Sequence, residues 1–80
     1  MGLTETAIRS WLIENIDITN EELKPETKLF SSGLLDSFTL MDMVLFIEKS
    51  AGIKVKATEL TLGNMDSVKN ILTYVAGKTA

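Results

Sequence analysis

The sequence predicts an all-α domain: three main helices plus one short helix, with a long first loop. Two apolar stripes at helical spacing and one crowded apolar segment set the helices. A lone proline in a segment of broken periodicity sets the loop. Eighty residues allow one domain and one core, spanning 1–80.

Helix 1 is expected from about Leu3 to Ile16. Leu3, Ala7, Ile8, Trp11, Leu12 and Ile16 recur at i, i+3 and i+4 and make one stripe. Thr4 is the natural N-cap, and Glu5 suits the positive end of the helix. Trp11 lies on the stripe and reads as a core residue rather than a ligand-binding one.

From Asp17 to Asp36 the pattern breaks. Pro25 stands among Asn20, Glu21, Glu22, Lys24 and Glu26, a composition that reads as loop. Ile18, Leu23, Leu29, Phe30, Leu34 and Leu35 punctuate the segment and can pin it to a core. Loops this long in compact domains usually place something.

Helix 2 is expected from about Ser37 to Ala51, with Asp36 as N-cap and Gly52 as the stop. Phe38, Leu40, Met41, Met43, Val44, Leu45, Phe46 and Ile47 crowd it, so apolar side chains remain after one core-facing stripe is filled. Ile53-Lys54-Val55-Lys56 alternates but is too short and isolated for a sheet, and is expected as an extended connector. A short turn is expected at about 58–62. The last helix is expected at about 67–76, capped by Asp66 and closed by Gly77, with Val68, Ile71, Leu72 and Val75 as its stripe.

Composition narrows the function. There is no cysteine and no histidine. This removes disulfides, thiolate metal sites and the commonest general base, and no metal site is expected. The net charge is −3 and the eight basic residues are scattered, which disfavours nucleic-acid binding. No signal peptide and no membrane span are expected, so the chain reads as a cytoplasmic protein.

One run of residues suggests chemistry: Gly33-Leu34-Leu35-Asp36-Ser37-Phe38, where the loop meets helix 2. A serine at the first helical position exposes its hydroxyl beside unpaired backbone N–H groups, and the helix dipole favours a phosphate there. The Asp-Ser pair alone is simply a good helix start, and Asp66-Ser67-Val68 repeats it before the last helix. Position separates the two: Ser37 follows the pinned loop and Gly33, whereas Ser67 follows a short connector and reads as part of a cap. Gly33 suits a tight turn or a positive φ.

Around these residues the chain resembles the acyl carrier and peptidyl carrier protein family, which bears an Asp-Ser-Leu-type motif at this junction. The resemblance continues through Met43-Val44-Leu45-Phe46-Ile47-Glu48, Gly52-Ile53-Lys54-Val55, Leu60-Thr61-Leu62 and Asp66-Ser67-Val68. The Gly-Leu-Leu-Asp-Ser run is most similar to small stand-alone carriers such as the D-alanyl carrier type. Phe38 replaces the commoner leucine and is expected to fill the same core position.

The resemblance implies an acyl-carrier-like bundle with 4′-phosphopantetheine attached to Ser37. It gives Asp36 a part in positioning magnesium and the transferase during modification. The chain would then be no enzyme. It would hold an acyl or aminoacyl thioester for partners: a phosphopantetheinyl transferase, a loading ligase, and a downstream transferase or synthase of fatty-acid or secondary-metabolite synthesis. In the family, helix 2 and the preceding loop are read by partners. Met41, Asp42, Leu45 and Leu35 are the candidate contact residues here, and the chain is expected to be a monomer. The competing reading is an arm-less helical interaction module that docks through helix 2.

Overall fold

A computed structural model describes residues 3–79. Its regular elements are α1 (Glu5–Asn15), α2 (Ser37–Ala51), a 3-10 turn (Ala57–Glu59), α3 (Leu62–Met65) and α4 (Val68–Thr79). No strand occurs among the described residues. The predicted all-α bundle with a long first loop is therefore observed. α1 packs against α2 and α4, and α3 against α4.

Each main helix begins and ends where its local chemistry dictates. Thr4 Oγ1 accepts from the Ala7 amide at 3.1 Å, and Ile16 leaves α1 with extended backbone. Leu3 and Ile16 therefore flank α1 rather than belong to it. α2 starts at Asp36, whose side chain accepts from the Thr39 amide at 2.8 Å. It stops at Gly52, which adopts φ 68°, a left-handed conformation that glycine enters without a Cβ penalty.

The core joins Ile8 and Leu12 of α1, Met43 and Ile47 of α2, Met65 of α3, and Val68, Ile71 and Val75 of α4. Ile18, Leu23, Leu29 and Leu35 from the first loop complete it. The loop's apolar residues thus anchor it, as the sequence predicts, with Phe30 and Leu34 packed at the margin. Trp11 is half-buried against the core and stacks on Phe46, ring centroids 5.8 Å apart. Ile53 and Val55 are half-buried in an extended connector, whose Val55 amide donates to Glu48 Oε2 at 2.8 Å.

Three expectations are corrected. The short turn expected at 58–62 is two pieces, the 3-10 turn and α3. They are joined by Asn64 Nδ2 donating to the Glu59 carbonyl at 2.9 Å. Gly77 does not close the last helix, which runs through it to Thr79. The extension carries Lys78 to Glu59, where Nζ lies 3.0 Å from Oε1. Asp66 does not cap α4; Ser67 Oγ does, accepting from the Asn70 amide at 3.1 Å.

Glu59 is a junction. Its Oε1 also accepts from the Lys56 amide at 2.9 Å and from the Tyr74 hydroxyl at 3.0 Å. The Lys56 amide first, then Lys78 and Tyr74, hold its carboxyl down at about 2. Partial burial, reinforced by Glu59, pushes Tyr74 up to about 12.

Two predictions follow the packing and this junction. Ile47 is fully buried, so Ile47→Ala should lower unfolding free energy by about 2–5 kcal/mol in urea titrations. Glu59 titrates below its ordinary 4.5 when folded, so its stabilisation is complete above that pH and is lost as pH falls toward about 2. Tyr74 titrates above its ordinary 10.0, so its contribution is complete below that pH and lost on rising toward about 12. Glu59→Gln should flatten the acid limb of the stability curve. It should also move the absorbance titration of Tyr74, the only tyrosine, down toward 10. An unmoved tyrosine midpoint would show that Glu59 does not hold that hydroxyl.

Candidate functional site

The site is the junction between the first loop and α2. The loop's backbone N–H and C=O groups need partners, and two charged side chains from outside the loop supply four of them. The Arg9 guanidinium, from α1, donates to the Asn20 carbonyl at 2.9 Å, to Asn20 Oδ1 at 2.8 Å, and to the Leu23 carbonyl. The Asp66 carboxylate serves the other end. Oδ1 accepts from the amides of Phe30 at 2.7 Å and Ser31 at 2.9 Å, and Oδ2 accepts from Ser31 Oγ at 2.6 Å. Burial pushes the Asp66 carboxyl up, but the bonds from Ser31 and Phe30 and the nearby Lys28 charge outweigh it, leaving it below the usual range.

Past this clasp the chain turns tightly. The Gly33 amide donates to the Phe30 carbonyl at 3.1 Å, and the Leu35 amide to the Leu29 carbonyl at 2.9 Å. Gly33 adopts φ 86°, the positive value anticipated for it. A Cβ there would meet nothing within 4 Å, so the requirement for glycine is one of backbone conformation, not of space.

Asp36 then caps α2, and the Thr39 amide, followed by the Thr39 side chain, holds its carboxyl below the usual carboxylate range. Ser37 is the first residue of α2 and is exposed. An exposed hydroxyl there can be esterified by a phosphate, and the first-turn amides favour the negative charge that results. The residues present therefore fit a phosphate-linked group.

The candidate contact residues separate. Met41, Asp42 and Leu45 are exposed, as are Phe38 and Lys49. At 100° per residue these five occupy one side of α2, opposite the buried Met43 and Ile47. Leu35 does not join them. It is buried in the core at 1 % exposure, because the turn that pairs its amide with Leu29 directs it inward. Phe38 is corrected in the opposite sense. It is 86 % exposed, since its place on the helix puts it above Met41 and Leu45, away from the core face.

An apolar pocket of about 190 Å³ is walled by Phe30 of the loop, Leu40 of α2, and Leu60, Thr61, Leu62 and Met65 around α3. Leu40 sits one turn along α2 from Ser37, so the pocket adjoins the site. Arg9, which shapes the loop, carries no signal in the sequence that separates it from ordinary surface charges, and Asp66 carries only that of a helix cap. Among the described residues no cluster of three side chains could hold a metal ion. No helix there is long and apolar enough to cross a membrane.

Comparison with known proteins agrees with this geometry. The family described as "Phosphopantetheine attachment site" matches residues 6–75. The D-alanyl carrier protein of Bacillus pumilus (strain SAFR-032) is 35% identical over 60 residues, covering 75% of this chain and 74% of that protein. Proteins of this kind hold a phosphopantetheine group and leave catalysis to other enzymes. The exposed hydroxyl at the head of α2, the loop that delivers it and a family match over most of the chain lead to one conclusion: this chain belongs to the phosphopantetheine-binding family of carrier proteins.

Proposed function

We propose that this carrier bears its 4′-phosphopantetheine on Ser37 and that the cargo is a small aminoacyl group of the D-alanine class. The observation that carries the attachment point is the exposed Ser37 at the first position of α2, behind a loop held by directional bonds. Asp36 orders the first turn through its bond to Thr39 and sets a carboxylate beside the serine, where magnesium and coenzyme A arrive with the transferase. When bound, the arm supplies a terminal thiol that holds the cargo as a thioester.

Two observations favour a small aminoacyl cargo over a long acyl chain. One is the similarity to a D-alanyl carrier protein. The other is the pocket of about 190 Å³ beside the site. That is close to the roughly 150 Å³ cavity that takes one benzene, a space suited to a small group. Loading by a D-alanine-activating ligase is therefore expected.

Partner enzymes that act at Ser37 must approach the adjoining face of α2. Phe38, Met41 and Leu45 form an exposed apolar stripe there, with Asp42 at its flank. Exposed apolar patches of this kind mark contact surfaces, and methionine adapts to more than one partner. The proposed occupants are the phosphopantetheinyl transferase and the loading ligase, each contributing an apolar groove. The modification draws on coenzyme A and is expected in the cytoplasm.

The test is direct. Incubation with coenzyme A, magnesium and a broad-specificity phosphopantetheinyl transferase should add one arm to wild type and none to Ser37→Ala, read by intact mass. Failure of wild type to gain mass would overturn the attachment point. The holo protein should then take D-alanine from a D-alanine-activating ligase and take no fatty acid from an acyl–carrier ligase; the reverse pattern would overturn the aminoacyl cargo. Met41→Gln with Leu45→Gln should slow loading by about tenfold, an interface loss near 1.4 kcal/mol, with little change in Tm because both side chains are exposed. A lowered Tm with undiminished loading would remove them from the docking surface.

A further inference from the structure

Asp66-Ser67 repeats Asp36-Ser37 in sequence, yet the two pairs do different work. Ser67 caps α4. Asp66 is 3 % exposed, and both of its carboxylate oxygens are committed to the first loop, 35 and 36 positions earlier in the chain. Its backbone carbonyl also accepts from the Leu29 amide, at 2.7 Å. Side chain and main chain of one residue thus hold Leu29, Phe30 and Ser31 together.

The loop does not need Asp66 merely to stay attached. Leu29 and Leu35 are buried and already tie it to the core. Apolar burial, however, is non-directional and leaves rotation about the anchor. Hydrogen bonds to a charged acceptor are short and directional. The three donated to the Asp66 carboxylate fix the orientation of residues 30 and 31. The orientation is then passed along the backbone: Phe30 accepts from Gly33, Leu29 accepts from Leu35, and the next residues are Asp36 and Ser37.

We propose that Asp66 is a positioning residue for Ser37. By clasping residues 29–31 it holds the start of α2 in the orientation that a phosphopantetheinyl transferase requires. The proposal rests on Ser37 as the attachment point. Asp66 touches neither coenzyme A nor the reacting hydroxyl; it acts through the loop. Its loss should leave the bundle folded while the serine samples orientations that the transferase cannot use. Misplacement of a reacting group by about 1 Å can slow a reaction on the order of a hundredfold.

The experiment compares arm addition to full-length apo variants by intact-mass time courses, at a temperature where circular dichroism shows each to be folded. Asp66→Ala should lower kcat/KM for arm addition by about tenfold or more. Asp66→Asn keeps an oxygen for the Phe30 and Ser31 amides and should recover most of the rate. Val75→Ala truncates the core further along α4 and should lower Tm without slowing arm addition to the folded protein. Hydrogen exchange should show the Phe30 and Ser31 amides losing protection in Asp66→Ala while α1 and α4 amides keep theirs.

Asp66→Ala modified at the wild-type rate, or slowed no more than Val75→Ala, would overturn the proposal. If Asp66→Ala does not fold, Ser31→Ala decides by the same comparison, since it removes only the bond to Oδ2. A wild type that takes no arm overturns the Ser37 reading together with this proposal. An arm-accepting wild type with an indifferent Asp66→Ala overturns this proposal alone.

Discussion

A loop from residue 16 to residue 36 carries its own set of backbone donors and acceptors, and no helix within it satisfies them. Turns within the loop, the side chains of Thr19, Glu22 and Thr27, and the Lys69 amide meet part of that demand, and two side chains of opposite charge reach in from other elements to meet more of it. Arg9 can only donate and takes carbonyl oxygens near residues 20 and 23; Asp66, as a carboxylate, can only accept and takes the amides of residues 30 and 31. Alongside these fastenings Ile18, Leu23, Leu29 and Leu35 bury against the helices. The combination fixes the loop's approach to α2, and the role proposed for Ser37 rests on that approach.

α2 then serves two purposes with one run of apolar residues. Met43, Val44 and Ile47 face the core and hold the helix in the bundle. Phe38, Met41 and Leu45 face away from it and stay exposed. A surface helix needs only the first set. Keeping the second set in water has a hydration cost, and the docking of partner enzymes proposed above would offset it.

The far side of the molecule is organised by Glu59. It draws the Lys56 amide, Tyr74 and Lys78 onto one carboxylate and so binds the segment before α3 to the last turns of α4. This fastening backs the Leu60–Met65 wall of the apolar pocket. The pocket therefore lies between two clasped segments, Phe30 on the Asp66 side and Leu60 to Leu62 on the Glu59 side.

Much was legible in the residues alone. Thr4, Asp36 and Gly52 marked helix ends because caps and left-handed stops act within a few positions of chain. The stripes of α1 and α4 and the apolar punctuation of the loop named the core, because burial follows periodicity. The Gly33–Ser37 run pointed to the site. What sequence did not show was direction across the fold. Phe38 was expected inside and stands outside, while Leu35, read both as a loop anchor and as a contact residue, lies in the core. Asp66 looked like a cap and is a clasp to residues far away in the chain. Gly77 looked like a stop, but the contact of Lys78 with Glu59 carries the helix past it. Local chemistry therefore determined where the helices begin, which residues are apolar and where the serine sits. Only the tertiary structure decided which side of α2 meets the core and which charges hold the loop, because both depend on partners many residues distant in the chain.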